Sequence, residues 1–564
     1  MRSLRQNLLD TDLTRLQVIA RFWDVELTAV RQRDVAAQLA EAMTDPEAIA
    51  RVWETLPEDQ RQALETVLAA GGRKPRRVFA RQWGEIRAMG PGRVERERPW
   101  REPISPAEGL WYKGLLFYVF EPGPDKAYEV VLVPPELCAH LPTPDVSLPS
   151  ILLEPVSAPT AVRSAGDALL DDACTFLAYL QNERLRPGPD GGWPERQRTR
   201  LIRRLRDPAP ERLNFLRHLA RRLTWLRVTD AGLLRPDPEP VIAWLKSSTE
   251  RQRDALAQAW RDDPTWNELF HIPSLDPEET GAWRNDPLLA RKAILRHLSA
   301  CAPGTWYRLD DFIAAVREAD PDFQRPDGDY TSWYIRDVTS GAYLSGFESW
   351  DAVEGALIRH LITGPLAWLS LTDWGSELFR ITEGGAAFLD LAKAPTASEP
   401  APLTLRPDFT VLAPPARRYE RFQLARVANW IISPSMEGSE PFVYRITPGS
   451  LEHARQQGIG VARVLEFLAQ ISGAPVPHSV EAALTRWDAR GTEARLELAV
   501  LLRLSDEELM AQVASSPRTR RLIHEQVGPT AALVRERDWP RLVVALGEMG
   551  LLPDIVALEE DHAS

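Results

Sequence analysis

Leu405-Arg406-Pro407-Asp408-Phe409-Thr410-Val411-Leu412, and after it Phe442-Val443-Tyr444-Arg445-Ile446-Thr447-Pro448-Gly449-Ser450-Leu451, decide how the last third of this chain reads. Leu403–Leu412 and Pro441–Ile446 are rich in β-branched and aromatic residues and are expected to be strands. Thr447 is a good helix N-cap, Pro448 suits the first helical position, and Gly458 sits where a helix should stop. Arg421–Ile431 reads as a helix between the two strands. A further helix over Val461–Ser472 should bury Val464, Leu465 and Leu468. Pro475-Val476-Pro477 breaks the chain and Ser479–Trp487 restarts a helix. Ala494–Leu502 reads as a strand, and Ser505-Asp506-Glu507-Glu508 opens a helix running to Ser515.

Working outward, two proline-dense stretches stand out. Residues 141–165 hold Pro142, Pro144, Pro149, Pro155 and Pro159, and residues 394–402 read Ala-Pro-Thr-Ala-Ser-Glu-Pro-Ala-Pro. Proline this frequent favours extended backbone and stops helices, so both are expected to be linkers. They divide the chain into 1–50, 51–140, 166–280, 281–393 and 403–564, with a softer boundary near Asp276–Arg284. A length of 564 residues fits several domains of about 100–200 residues each.

Residues 1–50 read as two short helices joined by a break at Val25-Glu26-Leu27. That is either a SAP-like DNA-binding segment or a helical hairpin packed on the next domain. Residues 51–140 resemble a winged helix in element order. One helix follows Thr55-Leu56-Pro57-Glu58 and ends at Gly71-Gly72, a second follows Pro75, a third covers Ala107–Val119, and a strand covers Tyr128–Val133. The order recurs in 166–280, with helices at Ala168–Leu180, Pro194–Leu205 and Glu211–Leu223 and a wing over Trp225–Leu234. It recurs again in 281–393, with helices at Leu288–Leu298, Leu309–Val316 and Ala356–Ile362. There Gly364-Pro365-Leu366-Ala367-Trp368-Leu369 reads as a turn and strand start, and Leu378–Thr382 as the returning strand. The fold class is therefore mostly α with small β-sheets: several winged-helix-like modules followed by an α/β domain.

The order of elements in residues 403–525, with its Pro-Asp strand, its Tyr-Arg-Ile-Thr-Pro-Gly-Ser-Leu helix start and its Pro-Val-Pro break, is similar to the N-terminal domain of XPB-type DNA helicases. The whole arrangement resembles bacterial proteins in which this domain follows winged-helix-like segments without a helicase motor. The resemblance implies protein contacts within a repair or transcription assembly, with a helicase or repair factor as partner.

Motifs for catalysis are missing from the sequence. Gly71-Gly72-Arg73-Lys74-Pro75 lacks the spacing and the hydroxyl of a phosphate-binding loop, and Asp506-Glu507-Glu508 is better read as the acidic first turn of a helix. No HExxH, GxSxG or Cys-His pattern occurs. The expectation is a non-enzyme that takes no cofactor. Three cysteines exclude a disulfide framework and fit a reducing, cytoplasmic compartment. The nine histidines are scattered and no CxxC pair exists, so no metal site is expected. The N-terminus has no apolar signal core, and no run of about 18 apolar residues suits a membrane.

Arginine carries the one partner signal. The chain has a net charge of −12, which argues against a uniformly basic coat but leaves room for local patches. Residues 73–102 hold ten Lys/Arg against four Asp/Glu. On a helix after Pro75, Phe79, Trp83 and Ile86 share one face, while Lys74, Arg77 and Arg81 lie opposite, where duplex phosphates would meet them. Residues 180–235 hold fourteen Lys/Arg against six Asp/Glu. There Arg196, Arg200 and Arg203 align on one helix face beside Arg204, and Arg221, Arg222 and Arg227 follow. These residues are read either as non-specific contacts to duplex DNA or as a solvated face, ion-paired with acidic parts of the same chain. The corresponding functions are a DNA-associated accessory protein and a protein-interaction scaffold, the acidic charge favouring the scaffold. Trp306-Tyr307, Trp333-Tyr334, Trp350 and Trp374 are read as core residues before base-stacking ones.

Overall fold

The computed structural model describes all residues except Met1, 123–126, 143–150, 189–190, 279–284, 394–399, 435–437, 439, 497–498 and 556–564. The chain is mixed α+β, about 48% helix and 13% strand, with the strands in small sheets. It divides into two units, Met1–Gly458 with Glu466–Val476, and Ile459–Leu465 with Pro477–Ser564.

In the first unit, residues from Leu4 to Leu141 share one apolar core. The helices Leu4–Leu9, Leu13–Phe22 and Gln32–Met43 therefore share a core with Glu58–Ala69 and Pro106–Tyr112. Arg15 fixes the join. Its guanidinium lies 3.4 Å over the Trp111 ring and donates to the carbonyls of Trp111 and Leu116, which satisfies a buried cation without a carboxylate. Ala107–Val119 is not one helix. Pro106–Tyr112 ends before Gly114, whose φ of 69° suits glycine, and Phe117–Pro122 becomes a strand. That strand pairs with Ala127–Leu132, which also pairs with the short strand Arg73–Pro75. Lys74 is thus a strand residue, not part of the helix Arg76–Trp83.

A second core takes in buried residues from Ile151 to Phe422. Its axis is the helix Ala168–Asn182, buried along most of its length. The arginine-rich helix is Glu195–Ile202, with Arg203 as its C-cap, and Pro208 follows before the helix Pro210–Arg222. Strands Leu226–Val228 and Leu234–Pro236 make the small hairpin after it. Further on, Pro365–Trp368 is a helical turn rather than a strand start, because Pro365 occupies the first helical position after Gly364. The strands there are Thr372–Gly375 and Leu378–Ile381, joined in one sheet by Tyr307–Arg308.

The expected strand Leu403–Leu412 is split in two, Thr404–Leu405 and Thr410–Ala413. Pro407 has no N–H to give to a ladder, and Phe409 turns the chain at φ 67°. Arg406 N–H then closes the turn on the Thr410 carbonyl at 2.8 Å. The helix here is Arg418–Leu424, and Asn429–Ile432 is a strand where a helix was expected. The four strands order as Thr404–Leu405, Thr410–Ala413, Phe442–Arg445 and Asn429–Ile432. Thr447 caps its helix with a capping box to Ser450.

The second unit holds the helices His478–Arg490, Glu507–Ser515 and Trp539–Glu548. Its sheet is Ala499–Arg503, Ala531–Arg535 and Ile523–Gly528, with Ala531–Arg535 central. Val513, Val534, Leu542 and Leu546 form its core. Asp506, within the stretch expected to open this helix, caps it by accepting from Leu509 N–H.

Candidate nucleic-acid interface

On Glu195–Ile202 the charge spacing survives folding. Leu201 is fully buried and Leu205 nearly so, which turns Arg196, Arg200 and Arg203 to solvent. No carboxylate among the described residues pairs with these three. Tyr179 anchors the helix from beneath by donating its hydroxyl proton to the Gln197 carbonyl at 3.0 Å. Arg204 is half-buried instead, its guanidinium near the Tyr179 and Trp430 rings at 5.4 and 5.9 Å. It belongs to the packing under the face.

The helix Pro210–Arg222 brings Arg221 to the segment that precedes the arginine helix. Arg217 and Arg221 both donate to the Gly191 carbonyl, at 2.9 and 3.4 Å, which ties this helix to the turn that starts the arginine helix. Arg217 also covers Trp193, which stacks on Phe176 at 5.6 Å. Arg222 and Arg227 are exposed and carry no ion pair among the described residues. Arg221 thus lies beside the turn that leads into the arginine helix, near the Trp193–Phe176 stack that Arg217 covers.

The first cluster does not form such a surface. Arg81 donates from one guanidinium nitrogen to both Asp322 carboxylate oxygens, at 2.7 and 2.8 Å, and sits between the Tyr330 and Phe347 rings. Arg77 pairs with Asp329 at 2.9 Å. Burial pushes Lys74 below its usual range. The face expected to meet phosphate therefore meets the 320–330 segment of the same unit. A phosphate would have to displace partly buried carboxylates to reach Arg81, a poor exchange.

Sequence reasoning missed a larger charge cluster. Asp171 is fully buried and receives Arg206 at 2.5 Å, Arg418 at 2.9 Å and Arg421 at 3.0 Å. Burial drives its carboxyl upward, but Arg418, Arg421 and Arg206 outweigh that and hold it below the usual range. Asp172 beside it pairs with Arg212, and burial leaves it above the usual range. Arg421 stacks 3.3 Å over Phe442. The available signal was Asp171-Asp172 inside an otherwise apolar helix, since buried carboxylates need cations. Its effect is to fasten Ala168–Asn182 to Arg418–Leu424, so the residues on either side of 394–402 fold as one body.

Of the aromatic residues, Trp306, Tyr307 and Trp350 are buried. Trp333 lies beneath Arg325 at 3.9 Å and Trp374 beneath Arg163 at 4.9 Å. Only Tyr334 is exposed, at 43%. Among the described residues no group of three or more His, Cys, Asp or Glu is placed to hold a metal ion. No helix among them is long and apolar enough to cross a membrane.

Residues 403–527 match the family described as helicase conserved C-terminal domain. This part of the chain is therefore a helicase-associated domain. The match begins at the residue where the XPB-like resemblance begins and covers under a quarter of the chain. No curated protein sequence matches the chain.

Proposed function

We propose that the chain is a non-catalytic, DNA-associated accessory protein. Arg196, Arg200, Arg203, Arg221 and Arg222 hold duplex phosphates without sequence preference, and the helicase-associated domain docks a protein partner in repair or transcription. The observation that carries the reading is the solvent-facing row Arg196, Arg200 and Arg203, without carboxylate partners among the described residues, in a chain of net charge −12. An acidic protein that leaves such a row unpaired has kept it for an anion. The helix, helix, strand-pair order around it supports a winged-helix docking geometry. The similarity of the 403–525 region to the XPB N-terminal domain, and its match to a helicase-associated family, support a partner drawn from helicase machinery.

Titration of labelled duplex DNA at two salt concentrations tests this. The expected outcome is binding that weakens steeply with salt. The chain is also expected not to hydrolyse ATP, with or without DNA. Turnover that co-purifies with the folded protein counts against the non-enzyme part. The pairing of Arg77 and Arg81 with Asp329 and Asp322 favours the second reading, a scaffold that binds only proteins. Absence of any DNA binding at low salt selects it.

A further inference from the structure

A groove of about 490 Å³ opens between the end of Thr249–Arg261, one face of Pro287–Leu298 and the turn after Glu383–Phe388. Leu288, Leu295 and Phe388 line it with apolar surface, and Arg261, Lys292 and Arg296 stand among them. Leu288, Lys292, Leu295 and Arg296 share one helix face through three- and four-residue steps. Arg261 lies 5.5 Å over the half-buried Phe388 ring and pairs with Asp262. Arg296 is held by Asp320. Lys292 is exposed, with no carboxylate partner among the described residues.

The helix that carries Arg222 reaches the edge of the groove through His218, one turn earlier, which pairs with Asp263 beside Asp262. Asp262, on its edge, lies in the field of Arg222 as well as that of Arg261. Asp390, across the groove, is held in the left-handed region at φ 58° and has no ion-pair partner among the described residues. Cations, an aromatic ring and an open carboxylate around an apolar floor are complementary to one nucleotide rather than to a stacked duplex. Lys292, which has no carboxylate partner among the described residues, suits a phosphate, the Phe388 ring suits a base, and the Asp390 carboxylate accepts from an exocyclic amine.

We propose that this groove takes an unpaired nucleotide strand as it leaves a duplex held on the Arg196–Arg222 face. The proposal rests on the DNA-binding reading above and adds the form of DNA preferred, a junction between duplex and single strand. Fluorescence anisotropy of the full chain with a blunt duplex, and with the same duplex carrying a short single-stranded tail, tests it. The tailed DNA should bind about tenfold tighter, roughly the worth of one stacked base. Lys292→Glu should erase that advantage and leave blunt-duplex affinity unchanged. Phe388→Leu, which keeps the apolar volume, should reduce the advantage several-fold. Equal affinity of the wild type for both DNAs, or a tail preference that survives both variants, overturns the groove assignment alone. Failure to bind either DNA overturns the DNA-binding reading with it.

Discussion

Asp171 and Arg421 meet at 3.0 Å although 250 positions separate them in the chain. Their contact closes the buried cluster that also takes in Arg206 and Arg418. It joins the helix beneath the arginine face to the first helix of the helicase-associated domain. A partner that engages the Arg418–Leu424 helix would thus act on the unit that presents Arg196, Arg200 and Arg203.

Asp171→Ala should cost about 3–5 kcal/mol, since it strands three arginines in a low-dielectric core. Urea unfolding followed by tryptophan fluorescence measures this. A loss under about 1 kcal/mol would show that water or other carboxylates relieve the cluster.

A fragment starting at Leu403 should fail to fold cleanly, because Arg418 and Arg421 lose Asp171 and Phe422 loses the core it shares with the Ala168–Asn182 helix. A fragment starting near Ile151 keeps both. Comparison of their near-ultraviolet circular dichroism and protease resistance separates the cases. A compact, cooperative 403–564 fragment refutes this prediction.

Changing Arg196, Arg200 and Arg203 together to Ala should weaken duplex binding for every sequence tested. The slope of log K against log salt should fall by roughly 0.9 for each phosphate contact removed. Stability should hold, because all three side chains face solvent. An unchanged slope in a folded triple variant removes this helix from the interface.

Arg81→Ala should do the reverse. It leaves Asp322 unpaired in a half-buried site and should cost about 2–3 kcal/mol, with duplex affinity unaltered. Thermal unfolding and the binding titration together read this. Weaker DNA binding without destabilisation would return Arg81 to the interface.

Acid should destabilise the fold through two histidines. Burial lowers both His271 and His360 to about 4. His271 stacks on Trp266 at 3.7 Å, close to His218, and His360 lies against Trp368. The unfolded chain takes up these protons near pH 6.5, while the folded chain stays neutral until about 4. Stability from these groups is therefore complete above about 6.5 and is lost as pH falls through that window. The urea midpoint should drop between pH 7 and pH 5, and less so in a His271→Gln, His360→Gln variant. A midpoint that is flat across this range contradicts the assignment.

Much of the helical content was legible because its boundaries are written in local chemistry. Thr447-Pro448 capped and started a helix as read, and Asp506 caps the helix that Ser505-Asp506-Glu507-Glu508 was read to open. The errors fall where local preference loses to neighbours. Asn429–Ile432 is a strand because Phe442–Arg445 offers it a ladder, a fact absent from its own residues. Gly364-Pro365 was read as a turn into a strand, yet proline at a first helical position serves a helix equally well.

The candidate interface divides in the same way. Sequence alone determined which arginines align on Glu195–Ile202, because helical periodicity and the burial of Leu201 follow from spacing. It could not determine which arginines stay available. Arg81 looked equivalent to Arg200, but Asp322, 241 residues away, claims it. Ion pairing depends on distance in space, and the order of residues carries that only after the chain has packed. For the same reason the tertiary structure alone made residues on both sides of 394–402 one body, through a buried aspartate whose charge had to be met by whichever cations the fold brought to it.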